Sequence, residues 1–161
     1  MIYVGCEDAQ AYLIWLSNKI GETYRLLSEA EWEYVAHAGT IKPSHTGEQI
    51  SAYEANFEGT ETYNDGSAKG ESRERTIPVG SLGANQFGLY DVHGNVWEWL
   101  EDCWNSGYNS WLRVSKSAPS DGSAWTSGHC ANRVLRGGSW LIGPRDLRSS
   151  DRGRDGADER N

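Results

Sequence analysis

The stretch Gly88–Asp102 concentrates side chains that could bind a metal ion or take part in catalysis. Two tryptophans, two glycines and four acidic residues fall within its fifteen positions, in an order that no simple helix or strand period explains. Its apolar residues predict burial: Leu89, Val92, Val96, Trp97 and Trp99. Because burying a carboxylate without a partner is costly, backbone N–H groups, an arginine or a metal ion must lie close to Asp91 and Glu98.

The three cysteines are candidates for thiol chemistry or for a disulfide. Cys6, Cys103 and Cys130 are far apart, and no Cys-x-x-Cys pair exists, so neither a zinc site nor a thioredoxin-type motif is indicated. The four histidines show no metal-ligand spacing either. One disulfide is possible, and Cys103 with Cys130 is the pairing that we would choose. Buried free thiols are the alternative that we favour.

Charge is distributed unevenly along the chain. The net charge is −8, which argues against nucleic acid as a general partner. Between Arg133 and Asn161, however, seven arginines stand against five acidic residues. This basic segment could dock on the acidic remainder. We favour the alternative interpretation, in which intramolecular salt bridges order its loops.

The N-terminal part of the chain predicts two helices. Apolar residues at three- and four-residue steps predict a helix over 7–20, and Gly21 is placed to end it. Ser28 and Glu31 form a capping box, which predicts a second helix over 29–38.

The remainder predicts a loop-rich fold with little regular structure. The 161 residues suit one domain. Residues 40–76 should form a long irregular region that spaced aromatics pin to the core. A strand is predicted over Arg133–Arg136, and another begins at Trp140. No apolar run is long enough to span a membrane, and no signal peptide is visible at Met1.

Three blocks of residues occur in an order and spacing that carry a family resemblance. They are Glu7–Tyr12 with Tyr24–Leu26 and Glu29–Tyr34, then Pro78–Gly80 with Asn85–Asp91 and Gly94–Trp99, then Arg133–Trp140 with Arg148–Ser149. Together they resemble the formylglycine-generating enzyme (sulfatase-modifying factor) family. The resemblance implies an α+β, C-type-lectin-like fold, loop-rich, with two helices plus small antiparallel sheets. Family domains begin earlier and end in a Gly-Phe-Arg strand, so this single domain over 1–161 should be truncated at both ends.

Catalysis in that family depends on two cysteines that this chain does not carry. Catalytic members oxidise a substrate cysteine to formylglycine with copper held by those thiols, and the two positions correspond to Ile142 and Leu147. Neither side chain can replace a thiolate as a copper ligand, so copper is not expected. The resemblance therefore favours a non-catalytic, ligand-binding member. A divergent copper-dependent formylglycine-generating oxidoreductase acting on a protein cysteine is the alternative.

The same resemblance implies calcium as a structural cofactor at the central stretch. In the family the equivalent loop wraps a calcium ion, which prefers carboxylate and carbonyl oxygens. The carboxylates of Asp91 and Glu98 and the carbonyls of Gly94 and Val96 correspond to those ligands. Capping of turn N–H groups by the two carboxylates is the alternative.

A second family calcium site uses a pair of an asparagine and an aromatic residue, with an acid further on. Asn56-Phe57 is the matching pair in this chain, and Asp65 is the candidate acid.

The C-terminal segment, Leu141–Asn161, is the candidate binding surface. It keeps the framework arginines of the family, while the residues at the positions between those arginines differ from the family pattern. This arrangement resembles the variable region of target proteins of diversity-generating retroelements. That resemblance implies an exposed surface that includes Trp140, Leu141, Ile142, Gly143, Arg145, Asp146, Asp151, Gly153 and Asp155. Such a surface suits a protein or a carbohydrate ligand, and the sequence leaves the oligomeric state open.

Overall fold

The structure, a computed structural model, describes residues 3–63, 68–108 and 118–160. Its elements in chain order are helices α1 (Cys6–Ile20) and α2 (Glu29–His37), strands β1 (Glu98–Trp104) and β2 (His129–Arg136), a 3-10 helix (Pro144–Leu147) and strand β3 (Gly153–Gly156). The strands form one sheet in the order β1-β2-β3, and β2 pairs antiparallel with β3. This confirms the predicted α+β class. No helix in the described ranges is long and apolar enough to cross a membrane.

Helix α1 forms where the sequence pattern predicts it. Glu7 and Asp8 lie in its first turn, where negatively charged side chains interact favourably with the helix dipole. Gly21 ends it with φ +83°, a left-handed conformation that glycine adopts without strain. The predicted apolar face is only partly buried, because Tyr12 remains 57 % exposed and Ile20 54 % exposed.

Helix α2 begins at the predicted capping box. The Ser28 N–H donates to the Glu31 carboxylate at 2.9 Å, and the Glu31 N–H donates to Ser28 Oγ at 3.1 Å. Arg25 donates to the Glu31 carboxylate at 2.7 Å, and this bond first, followed by the bond from the Ser28 N–H, lowers the pKa of the Glu31 carboxyl to about 2. The helix ends one residue earlier than predicted, at His37.

Two predictions about strands are corrected by the structure. Strand β1 takes up the end of the central stretch, from Glu98, although no strand period is visible there. The predicted strand at Trp140 does not form. Gly137 and Gly138 both adopt positive φ, +87° and +77°, and turn the chain. Pro144 then starts the 3-10 helix, a first-turn position that suits proline because its nitrogen has no hydrogen to donate.

The described residues form two compact units, each discontinuous in sequence. The first draws on Met1–Trp32, Trp99–Leu135 and Gly153–Asn161, and the second on Glu33–Glu98 and Arg136–Arg152. The predicted organisation as a single domain over 1–161 stays a prediction.

The first unit contains the sheet and α1. Asp102 in β1 is buried, and its carboxylate accepts the N–H of Glu29 and the N–H of Trp125, both at 2.8 Å. Backbone donors therefore satisfy this acid of the central stretch. Trp99, predicted to anchor in the core, is half-buried and donates its indole N–H to the Val4 carbonyl at 2.8 Å.

A disulfide links two strands of the first unit. Cys103 in β1 and Cys130 in β2 are bonded, with their Cα atoms 4.4 Å apart. The free-thiol interpretation that we favoured is therefore wrong for this pair, because strand pairing brings together cysteines that are 27 residues apart. Cys6 is a buried free thiol, and burial raises its pKa.

The second unit is built mainly from irregular segments, as predicted for residues 40–76. Its apolar core contains Ile50, Ala55, Phe57 and Leu147, with Ile142 packed against them. The aromatic that best fits the predicted pinning role is Phe57, which is 2 % exposed, whereas Tyr53 is 87 % exposed.

Candidate functional site

The central stretch contains four left-handed residues. Gly88 and Asp91 have φ of +81° and +56°, and Gly94 and Asn95 have φ of +80° and +66°, so the chain turns sharply here. A Cβ atom at Gly94 would overlap the carbonyl oxygen of Asn56. Only glycine can therefore occupy this position without moving the backbone.

Asn56 and the central loop lie in contact, which the sequence did not predict. Asn56 and Gly94 form an isolated bridge, and the Asn95 N–H donates to the Asn56 carbonyl at 2.8 Å. Residues of the two predicted calcium sites thus share a backbone contact. Phe57 is buried beside it in the core. Asp65, the candidate acid, lies outside the described residues.

The side chain of Asn95 holds this contact together. Its Oδ1 accepts the Ile77 N–H at 3.0 Å and the Asn56 Nδ2–H at 3.3 Å, and its Nδ2 donates to the Ile77 carbonyl at 3.3 Å. Asn95 was not among the predicted site residues. The residue type was a signal in the sequence, because asparagine is one of the few residues besides glycine that adopt a left-handed conformation.

Several of the predicted calcium ligands already take part in interactions within the protein. Asp91 Oδ2 accepts the Gly80 N–H at 2.7 Å, which matches the capping alternative. The Gly94 carbonyl accepts the Val96 N–H at 2.9 Å. Glu98 lies half-buried at the start of β1 and has a partner of its own. In the described ranges, no three His, Cys, Asp or Glu side chains stand close enough to hold a metal.

One oxygen in this region is left without a partner. Asn56 is 1 % exposed, its Nδ2 donates to the Arg75 carbonyl at 2.9 Å, and its Oδ1 has no hydrogen-bond partner. A buried polar atom without a partner is costly. Because an amide oxygen is a suitable calcium ligand, Asn56 Oδ1 is compatible with the role predicted for it at the second site.

Ile142 and Leu147, the two positions that the family resemblance predicts for catalytic cysteines, lie side by side. A Cβ atom at Gly138 would stand 2.7 Å from Ile142 Cδ1 and 2.7 Å from Leu147 Cδ2. Leu147 is 1 % exposed in the apolar core. Hydrocarbon therefore fills the place where a thiol pair would stand.

A buried histidine contacts the same region. His93 Nδ1–H donates to the Leu147 carbonyl at 2.7 Å, and His93 Nε2 accepts the His45 N–H at 3.4 Å. Burial, and then the nearby His45, lower the pKa of His93 to about 4. The two rings stack with centroids 5.0 Å apart. The imidazole is thus held neutral, with each ring nitrogen in a hydrogen bond.

The predicted binding surface is divided between the two units. Its exposed members in the second unit are Leu141, which is 67 % exposed, Arg145 and Asp146. The remaining members there are half-buried: Trp140, Ile142, Gly143 and Asp151. Gly153 and Asp155 belong instead to β3 in the first unit. The members from Trp140 to Asp151 therefore belong to one unit.

A fully buried arginine fixes the backbone of this segment. Arg136 is 0 % exposed, and its Nη1 donates to the carbonyls of Ser149 and Asp151 at 2.6 and 2.7 Å. Its Nη2 forms an ion pair with Glu33 on α2. Arg148 in turn donates to Asp151 Oδ1 at 3.3 Å. The salt bridges predicted to order this basic segment are present here.

Replacing Arg136 should destabilise the protein strongly. Arg136→Met keeps a side chain of similar volume but leaves the carbonyls of Ser149 and Asp151 without their charged donor. A hydrogen bond to a charged group is worth about 1.5–3 kcal/mol. We expect urea unfolding to report a loss of about 3 kcal/mol. Arg145→Met, at an exposed position of the same segment, should cost under about 0.5 kcal/mol. Equal losses for the two variants would contradict the assigned role of Arg136.

Comparisons with known proteins show the family to which the chain belongs. The sequence matches the sulfatase-modifying factor enzyme 1-like domain over residues 1–161. The formylglycine-generating enzyme of Thermomonospora curvata is 31% identical over 150 residues, which cover 88% of this chain and 44% of that protein. The serine/threonine-protein kinase pkn1 of Chlamydia caviae is 34% identical over 148 residues, which cover 91% of this chain and 20% of that protein. The chain thus spans less than half the length of these curated relatives.

Solved structures show the same fold. PvdO from Pseudomonas aeruginosa superposes with a TM-score of 0.79 at 40% identity, over 99% of this chain and 57% of that one. Treponema denticola variable protein 1 superposes with a TM-score of 0.77 at 24% identity, over 100% of this chain and 67% of that one. At that lower identity the likeness concerns the fold alone.

Proposed function

Because the chain belongs to the sulfatase-modifying factor enzyme 1-like domain family, we propose that it is a non-catalytic, ligand-binding member of that family. The observation that carries this proposal is the pair Ile142 and Leu147, packed together against Gly138 where catalytic relatives would need two thiols. Soft thiolates are the protein ligands that hold Cu(I). Neither hydrocarbon side chain can bind copper or exchange electrons with a substrate thiol.

The cysteines elsewhere in the chain support the same proposal. Cys103 and Cys130 are used in a disulfide of the first unit, and Cys6 is buried with a raised pKa. A raised pKa keeps a thiol protonated, and the thiolate is the reactive form. Relatives of the domain also carry different names, a formylglycine-generating enzyme and a protein kinase. Family membership therefore leaves the activity of this chain open.

The binding surface that we propose is the part of the C-terminal segment in the second unit. Leu141, Arg145 and Asp146 are exposed, while Arg136 holds the backbone behind them at Ser149 and Asp151. A rigid backbone with exposed, chemically varied side chains lowers the entropy cost of binding. The fold likeness to a variable protein favours a scaffold of this kind. The ligand is then a protein or a carbohydrate.

A peptide oxidation assay tests this proposal. The protein is incubated with Cu(I), oxygen and a peptide that contains Cys-x-Pro-x-Arg, and mass spectrometry follows conversion of the cysteine. We expect no formylglycine, because no thiol pair stands at positions 142 and 147. The formylglycine-generating enzyme of Thermomonospora curvata serves as the positive control. Turnover by this chain above the level of copper alone would establish the alternative, a divergent oxidoreductase.

We further propose calcium as a structural cofactor of the central loop. The carboxylates of Asp91 and Glu98 and the carbonyls of Gly94 and Val96 would supply the hard oxygens that calcium prefers at this loop. Asn56 Oδ1, which is buried without a hydrogen-bond partner, would be a ligand of the second site together with the Phe57 carbonyl. The bond between Asp91 and Gly80 leaves the second carboxylate oxygen of Asp91 for the ion.

Calcium should raise the melting temperature of metal-stripped protein. A ligand that binds only the folded state stabilises it, by about 2.7 kcal/mol at a hundredfold excess over its dissociation constant. Asn56→Ala and Glu98→Gln should each reduce the calcium-dependent shift measured by calorimetry, while Glu74→Gln, at an exposed position, should retain it. The proposal fails if millimolar calcium leaves the melting temperature of the unmodified protein unchanged.

A further inference from the structure

The two sulfur atoms of the disulfide in the first unit have different access to solvent. Cys103 is 2 % exposed on β1, whereas Cys130 is exposed near the start of β2. In thiol–disulfide exchange a thiolate attacks one of the two sulfurs, and access decides which sulfur it can reach. A thiol in solution can therefore open this disulfide at Cys130 Sγ while the fold stays intact.

A positive charge lies beside the buried sulfur. Arg133 Nη1 donates to Cys103 Sγ at 3.7 Å and to the Glu101 carbonyl at 2.7 Å, so the backbone of β1 fixes the guanidinium in this position. Arginine is effectively always charged in proteins. A neighbouring arginine stabilises a thiolate relative to a thiol, so negative charge on Cys103 Sγ is favoured.

The exposed sulfur has a different neighbour. Cys130 Sγ lies 3.4 Å from the Thr126 carbonyl oxygen, and the partial negative charge of this oxygen disfavours a thiolate at Cys130. In the exchange reaction the sulfur that is not attacked leaves as a thiolate, and it leaves faster when its pKa is lower. Access and charge therefore select the same direction, with attack at Cys130 and departure of Cys103.

The third cysteine does not compete for an incoming thiol. Cys6 is a free thiol that is 1 % exposed. Burial raises its pKa, which keeps the side chain in the protonated, less reactive form. Exchange with a small thiol should therefore be confined to the Cys103–Cys130 pair.

We propose that Cys130 is a site of reversible S-thiolation by a low-molecular-weight thiol, and that Arg133 stabilises the thiolate released at Cys103. The small thiolate forms a bond to Cys130 Sγ while the bond between the two protein sulfurs breaks, and the electron pair of that bond stays on Cys103 Sγ. In the reverse step the Cys103 thiolate attacks Cys130 Sγ and expels the small thiolate. One disulfide replaces another, so neither direction consumes an oxidant or a reductant. This proposal is independent of the binding role proposed for the second unit.

Mass spectrometry can identify the sulfur that is attacked. The disulfide-bonded protein is incubated anaerobically with millimolar glutathione, quenched with acid at early times, labelled with excess N-ethylmaleimide and digested. We expect glutathione on Cys130 and maleimide on Cys103 in most of the mixed-disulfide molecules. Glutathione mainly on Cys103, or equally on both cysteines as in an unfolded chain, would overturn the proposal. Absence of a mixed disulfide, whether the pair stays oxidised or becomes fully reduced, would also overturn it.

Substitution of Arg133 tests the role of its charge. Arg133→Gln should slow exchange at Cys130 by up to about fivefold, the effect of one unit charge at about 4 Å in a water-like medium, while Arg133→Lys should retain most of the rate. Arg154→Gln removes the same charge from an exposed position on β3, opposite Val134 of β2, and should leave the rate unchanged.

Thermal unfolding of each variant establishes that the rates belong to folded protein. An unchanged or faster rate for folded Arg133→Gln, or an equal loss of rate in Arg154→Gln, would contradict the role assigned to Arg133. If Arg133→Gln does not fold, the rate of Arg133→Lys and the labelling pattern of the unmodified protein decide the proposal.

Discussion

The second unit depends on the close approach of Gly94 to the carbonyl of Asn56. A side chain at Gly94 would prevent this approach. From here hydrogen bonds run to the rest of the unit: the Gly94 N–H donates to Gly137, and the Asn95 carbonyl accepts the Trp140 N–H, at 2.7 and 3.1 Å. One backbone contact thus ties the central loop to the turn that precedes the C-terminal segment.

The position of the proposed binding surface follows from that contact and from one buried charge. The turn at Gly137-Gly138 directs the chain back over the apolar core, where Ile142 and Leu147 fill the space beside Gly138. Arg136, immediately before the turn, then holds the carbonyls of Ser149 and Asp151. Leaving a buried guanidinium without partners would be costly, so the backbone is fixed while the side chains of Leu141 and Arg145 remain exposed.

Local signals in the sequence predicted local structure well. The capping box at Ser28 and the glycine after α1 set the ends of helices because their effects act within a few residues. The predicted irregular region and the strand ending at Arg136 were also found. Strand β1 was missed because buried and half-buried residues do not alternate along it. It therefore lacks the two-residue period by which a half-exposed strand is recognised in a sequence.

The sequence named Cys103 and Cys130 as the pair for a disulfide, although it favoured free thiols. The interactions that arrange the candidate site also join residues far apart in the chain, and these could not be predicted. The contact between Asn56 and Gly94 and the ion pair between Arg136 and Glu33 depend on the tertiary fold. The composition gave no reason to separate Arg136, which is buried, from the exposed Arg145. Fold class was accessible because it rests on several motifs together, whereas roles of single residues were not.

The central proposal is that Ile142 and Leu147 leave this chain without the thiol pair that a copper-dependent oxidation would need, and a Cu(I) competition tests it most directly. The oxidised, disulfide-bonded protein is titrated under anaerobic conditions into the coloured Cu(I) complex of bicinchoninate, and loss of colour reports transfer of the metal. With Ile142 and Leu147 in place of thiols, the account predicts that the colour stays unchanged, and the double variant Ile142→Cys/Leu147→Cys provides the matched comparison. Withdrawal of one copper per chain by the unmodified protein would contradict the account.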